Sequence, residues 1–316
     1  MRKRCLDVVY RLAKKNKDVI FVGSDLGVGV LDNFKKELPA QWLMEGVSEQ
    51  HIIGMAAGLA MSGKTVYFNT IATFITRRCY EQTCIDLGLA NLKVRLLGSG
   101  GGLVYAPLGP THLATEDIAL MRAIPNMTII APCDAEEMER AMFATEHLPG
   151  PVYMRIAKGG ETVVSKPELG FEIGRAIVHR QPGEVLFVTT GVMLQKAIDT
   201  CVLLENSGVT AGIVHCHTVK PLDVKTIISA AAKVRAIVTL EEHTLPGGLG
   251  SAVAEALAEA GLDRLPRFKR LGIPDVFPDE YGSQNSLMDR FGLSAEKIAA
   301  ETQRLLSGRL APAVGG

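Results

Sequence analysis

Glu45-Gly46-Val47-Ser48-Glu49-Gln50-His51-Ile52-Ile53-Gly54-Met55-Ala56-Ala57-Gly58-Leu59-Ala60 puts a carboxylate, Glu49, where a strand gives way to an apolar helix. Removing an ionised carboxylate from water costs on the order of several kcal/mol unless it is paired, protonated or in use. Glu49 therefore demands a proton-sharing partner. Around it, β-branched runs alternate with segments of helical period. The strands are Val19-Ile20-Phe21-Val22-Gly23, Val66-Tyr67-Phe68, Lys93-Val94-Arg95-Leu96-Leu97, Met127-Thr128-Ile129-Ile130 and Val152-Tyr153-Met154-Arg155; the helices start near Gln50, run through Ala90, and follow Asp134 as an N-cap. Such alternation predicts an α/β fold with a mostly parallel sheet flanked by helices.

Residues 157–174 break the pattern with Gly159-Gly160, Pro167 and mixed charge, the composition of a connection between domains. A second α/β pattern follows. Its strands are Val185-Leu186-Phe187-Val188, Ala211-Gly212-Ile213-Val214 and Ala236-Ile237-Val238-Thr239-Leu240, with helices after Met193, after Asp223 and from Leu249. The expected organisation is two α/β domains over 1–160 and 179–310, a linker over 161–178 and a tail over 311–316.

The 316 residues carry 34 basic and 34 acidic side chains, so net charge offers no general attraction to nucleic acid or to an acidic membrane. Six cysteines, at 5, 79, 84, 133, 201 and 216, form no C-x-x-C pair and read as reduced thiols. The chain shows no signal-peptide pattern and no apolar run of about 18 residues, which points to a cytoplasmic protein. His215-Cys216-His217 at a strand end lacks the further ligands of a metal site. Ser99-Gly100-Gly101-Gly102 lacks the Gly-Lys-Ser/Thr ending of a phosphate loop and reads as a flexible loop lining a substrate channel.

Four further stretches share a pattern with the Glu49 run: Gly23-Ser24-Asp25-Leu26, Thr70-Ile71-Ala72-Thr73-Phe74-Ile75-Thr76-Arg77-Arg78, Gly109-Pro110-Thr111-His112, and Glu241-Glu242-His243-Thr244-Leu245-Pro246-Gly247-Gly248-Leu249-Gly250. Together they resemble, in order and spacing, the pyrimidine-binding and C-terminal domains of the transketolase family of thiamine diphosphate enzymes. The resemblance implies that Glu49 shares a proton with a ring nitrogen of the cofactor's aminopyrimidine. The exocyclic amine then becomes a base toward the thiazolium carbon. It implies that Ile71 and Phe74 face that ring and that Asp25 lies on the cofactor. It also implies that His112 hydrogen-bonds or protonates the reacting substrate, and that Arg155, with Arg2 as a second arginine, holds the substrate's anionic end.

The chain departs from the family's sugar-phosphate enzymes at Gly100, where they carry a histidine, and at Leu108, where they carry an aspartate. Those residues serve phosphate and a donor hydroxyl, so the change points away from the usual xylulose 5-phosphate donor. A Gly-Asp-Gly motif followed by asparagine, which holds the cofactor's diphosphate through Mg²⁺, does not occur. The resemblance thus implies one subunit of a split enzyme, an α₂β₂ assembly in which an N-terminal diphosphate-binding subunit holds the Mg²⁺. The activity implied is transfer of a two-carbon ketol unit from a phosphorylated or otherwise anionic ketose to an aldose. Two alternatives remain: a thiamine enzyme acting on 2-oxo acids (a dehydrogenase beta subunit or a deoxyxylulose-phosphate synthase), and a non-catalytic scaffold subunit.

Overall fold

The computed structural model describes residues 1–23, 29 and 31–308. The first half builds β1 (Val19–Gly23), β2 (Trp42–Met44), β3 (Thr65–Ile71), β4 (Val94–Ser99), β5 (Thr128–Ile130) and β6 (Val152–Ile156). The second builds β7 (Ile177–Arg180), β8 (Val185–Thr189), β9 (Ala211–His215), β10 (Thr218–Lys220), β11 (Ala236–Thr244) and β12 (Arg267–Ile273). They form two sheets, β10-β5-β6-β4-β3-β1-β2 and β12-β11-β8-β9-β7, parallel except for the edge strands β10 and β7. Strands β1, β4, β6 and β8 are buried at every residue, which is why they are mostly apolar rather than alternating; the exceptions are Arg95 and Ser99 in β4, Arg155 in β6 and Thr189 in β8.

Two features were not legible as elements. The short β2, only three residues long, pairs with β1 in the register Phe21↔Trp42. More unexpectedly, β10 leaves the second half to pair antiparallel with β5 at the edge of the first sheet. One hydrophobic core therefore serves both halves, with Val22, Ile53, Phe68 and Leu96 in the same cluster as Val188, Val214, Ile237 and Val253.

The connector is tied down despite its loop composition. Asp134 caps the helix Ala135–Ala144 by accepting from Glu136 N at 3.0 Å and Glu137 N at 2.9 Å. Its carboxylate also accepts from Val164 N at 2.8 Å, Ser165 N at 2.7 Å and Ser165 Oγ at 2.8 Å. Burial opposes the charge, but these donors outweigh it and hold the carboxyl below its ordinary range.

In the first sheet β1 lies between β2 and β3, so the connection leaving β1 runs outward to β2 while that leaving β3 runs the other way to β4, a switch point between β1 and β3. A crevice opens at such a switch point, outside the carboxyl ends of the strands, and ligands bind there in open α/β sheets. The helix Glu49–Met61 follows β2 and precedes β3, and Glu45 in the turn before it accepts from Thr70 near the carboxyl end of β3.

Candidate active site

Glu49 is the first residue of its helix and is 2% exposed. The helix N-terminus favours a negative charge there, and Arg78 Nη1 donates to Glu49 Oε2 at 2.8 Å. Arg78 is thus the partner that a buried carboxylate demands and that the sequence left unidentified. It reaches Glu49 because the chain after β3 does not enter a regular α-helix: Phe74–Arg78 and Thr83–Leu89 are wide π-helical turns around one α-turn, Tyr80–Gln82. Such widened turns recur at functional sites because they re-aim side chains.

The Arg78 guanidinium lies over the Phe74 ring, 4.5 Å from its centroid. Phe74 meets His112 edge-on with ring centroids 5.3 Å apart. Ile71 ends β3 and Phe74 begins the first wide turn, so neither belongs to a regular helix. Both are partly exposed, as is His112, whose Nδ1 shares a 2.9 Å hydrogen bond with Thr111 Oγ1. Glu49, Arg78, Phe74 and His112 form a continuous chain of contacts just beyond the carboxyl end of β3, whose last residue is Ile71. Asp25 lies outside the described residues.

Glu45 adds a feature that sequence reasoning missed. It is 4% exposed, accepts from Thr70 Oγ1 at 3.3 Å through Oε1, and has Oε2 buried without a hydrogen-bond partner among the described residues. Burial, then the charge of Glu49, pushes its carboxyl up to about 7. Its place in the quoted run was visible, but nothing in the sequence indicated that it points inward.

Arg155 is buried and already engaged. Its Nε donates to Asp117 Oδ2 at 2.8 Å, and its Nη2 donates to Glu242 O at 2.8 Å and Ala114 O at 3.1 Å. Tyr153 Oη donates to the same Asp117 oxygen at 2.7 Å. Arg155 therefore ties β6 to β11 and to residues 114–117 through Nε and Nη2. Nearby, His243 accepts at Nε2 from Ala119 N at 3.2 Å and donates from Nδ1 to Thr244 O at 2.6 Å. Burial lowers its pKa to about 4 and keeps it neutral, as this bonding requires.

The glycine run lies in the interior. Gly100, Gly101 and Gly102 are buried, and their N–H groups donate to Ile156 O at 2.8 Å, Ile156 O at 3.1 Å and Ala114 O at 2.9 Å. A Cβ on Gly102 would stand 2.6 Å from Glu242 Cδ, and one on Gly100 would overlap the Tyr105 ring. Close packing, together with the positive φ of Gly100 (+85°) and Gly102 (+67°), requires glycine here. Arg2 Nη1 reaches Tyr105 Oη at 3.5 Å, so Arg2 and Gly100 adjoin the same tyrosine. Leu108 is 49% exposed, one residue before Gly109, where a Cβ would stand 2.9 Å from the ring of the largely exposed Tyr281.

His215 pairs through Nε2 with Glu137 Oε2 at 3.0 Å in the interior, close to Cys133. Burial opposes the Glu137 charge, but the histidine and Cys133 N hold its carboxyl down to about 2. Among the described residues no helix is long and apolar enough to cross a membrane.

Comparison with known proteins places the chain as follows. Residues 1–160 match the family model for the transketolase pyrimidine binding domain, and residues 174–298 match that for the transketolase C-terminal domain. One of the subunits of the apulose-4-phosphate transketolase of Phocaeicola vulgatus is 34% identical over 94% of this chain and 94% of its own. The 6-deoxy-6-sulfo-D-fructose transketolase subunit of a Clostridium species is 32% identical over 94% of this chain and 92% of its own. A solved structure described as a split gene transketolase, inactive beta4 tetramer, superposes with a TM-score of 0.87 at 31% identity, over 98% of each chain.

Proposed function

From the premise that this chain belongs to the transketolase family, we propose that it is the pyrimidine-binding subunit of a two-component transketolase. It transfers a two-carbon ketol unit from a phosphorylated or otherwise anionic ketose to an aldose. The observation that carries this reading is the buried Glu49 carboxylate linked through Arg78 to the half-buried Phe74 ring just beyond the carboxyl end of β3. A flat heterocycle with a protonatable ring nitrogen fits that pair: the ring buries apolar area against Phe74 and Ile71, and Glu49 exchanges a proton with the nitrogen.

Thiamine diphosphate, when bound, supplies the carbon nucleophile and the electron sink for breaking a carbon–carbon bond beside a carbonyl. This chain's residues do the rest. Glu49 holds or releases a proton at its carboxylate, and Arg78 supplies the counter-charge. His112, with Nδ1 engaged by Thr111, exchanges a proton with substrate oxygen through Nε2. Arg2 beside Tyr105 receives the anionic end of the donor. Leu108 at the rim, in place of a carboxylate, selects against donors that need a hydroxyl contact there.

A separate polypeptide holds the diphosphate through Mg²⁺, in an α₂β₂ assembly with sites between subunits. Support comes from the relatives, which include single subunits of transketolases, and from the inactive state recorded for the beta4 tetramer. The exposed Met44, Val47, Met61, Ile85 and Leu89 offer apolar surface on the elements around Glu49.

The test is reconstitution with the diphosphate-binding polypeptide. Ketol transfer by the pair, none by this chain alone, and a loss of roughly a hundredfold or more in Glu49→Gln are expected. Robust transfer by the chain alone would sink the split-enzyme reading. Carbon dioxide release from pyruvate would favour the 2-oxo acid enzymes instead, and unchanged activity in Glu49→Gln would favour the scaffold.

A further inference from the structure

Glu45 stands four residues before Glu49, where the chain turns from β2 into the helix. Its N–H extends the β1–β2 ladder by donating to Gly23 O at 3.0 Å. Gly46 and Val47 then take φ of +65° and +57°, and Ser48 Oγ closes the turn on Glu45 O at 2.8 Å. For β-branched Val47 the left-handed conformation costs about 1–2 kcal/mol, a strain that the fold retains at this point. The turn leaves Gly46, Val47 and Ser48 exposed while both flanking carboxylates point inward.

Two buried carboxyl groups here face one cation. The groups around Glu45 among the described residues are Glu49 from the helix, Arg78 and the Cys79 thiol from the wide turn, and Thr70 from β3. Arg78 bonds Glu49, not Glu45, and Thr70 satisfies only one Glu45 oxygen. Among the described residues, Glu45 Oε2 is left buried without a hydrogen-bond partner. Adjacent carboxyl groups in an apolar site resolve this by keeping one proton between them.

We propose that Glu45 is a positioning residue of this site: a second carboxyl that holds a proton beside Glu49 and, on losing it, strengthens Glu49's grip on the proton that Glu49 shares with its ligand. Only the identity of that ligand rests on the thiamine reading; the carboxyl pair stands on the geometry. The Glu45 carboxyl changes charge at about pH 7, so the control operates near neutrality.

The test uses the full chain carrying ¹³C-carboxyl glutamate. The resonance missing from Glu45→Gln, which keeps the shape of the protonated acid, identifies Glu45. Its midpoint is expected near 7, and Glu49→Gln should lower it by about one pH unit or more, since a like charge is removed. An ordinary carboxylate midpoint, or one indifferent to Glu49→Gln, overturns the proposal. In the reconstituted pair, the kcat profile of Glu45→Gln should lack the ionisation near pH 7 and that of Glu45→Asp should retain it. Superimposable wild-type and Glu45→Gln profiles would also overturn it. Absence of ketol transfer by the wild-type pair would overturn the functional reading and leave the titration to decide this one.

Discussion

Substituting Arg155 by Gln separates two roles that the sequence could not separate. The change removes the cation beside Asp117, which is fully buried, together with bonds of 2.8 Å to Glu242 O and 3.1 Å to Ala114 O. Leaving one member of a buried ion pair without its partner costs about 3–5 kcal/mol. At roughly 2–4 °C per kcal/mol for a large domain, the melting temperature should fall by about 6–20 °C, and the size of this chain favours the lower part of that range. Circular dichroism melts of the chain alone measure this without substrate or cofactor. Asp117→Asn should be similarly destabilised, and the double variant should be less so than the sum, because the two residues form one unit. If Arg155→Gln melts within about 2 °C of wild type and instead raises KM for the ketose in the reconstituted pair, the interior role is wrong and the substrate role returns.

Phe74→Ala should weaken thiamine diphosphate binding by about ten- to a hundredfold in the reconstituted pair, since it removes the aromatic face beside Glu49 and the platform under Arg78; isothermal titration calorimetry reads the change. His217 is fully buried and burial lowers its pKa from 6.5 to about 4, so as pH falls from 6.5 through 4 the unfolded chain binds the proton first and stability falls. Denaturation midpoints of His217→Gln across that window should therefore rise less with pH, by about 1.4 kcal/mol per pH unit where the two states differ by a full proton. Of the six cysteines, five are buried and Cys84 is partly exposed, so a thiol reagent should label one site in the native chain and six after denaturation; labelling of Cys79 at the Cys84 rate would contradict the packing around Glu49.

Glu49 was readable because its strand-turn-helix context is local: a glutamate followed by an apolar helix declares itself within a dozen residues. Its counter-ion was not, because Arg78 is 29 positions away and reaches it only through the wide turns after β3, which no simple periodicity announces. The interior partners of Arg155 were hidden for a related reason. An arginine ending a strand in an α/β sheet faces the ligand end, but the acceptors that claim it, Asp117 and Glu242, arrive by tertiary packing. The buried strands were found by their apolar runs, whereas β2 and β10 are too short to stand out. The Gly248 and Gly250 backbones sit against Glu241, which accepts from Leu249 N and Gly250 N at 2.7 Å each, and a Cβ on Gly248 would overlap that carboxylate.

The crossing of β10 into the first sheet governs how this molecule can be divided. A cut in the connector looks natural from the sequence, yet a fragment ending there would lack β10, leaving β5 with a bare row of backbone donors and acceptors along one side. Such an open margin is a template for pairing with other copies. The fragment should therefore aggregate where the whole chain does not, and any transplant of this half into another protein must carry residues 218–220, or a substitute strand, with it.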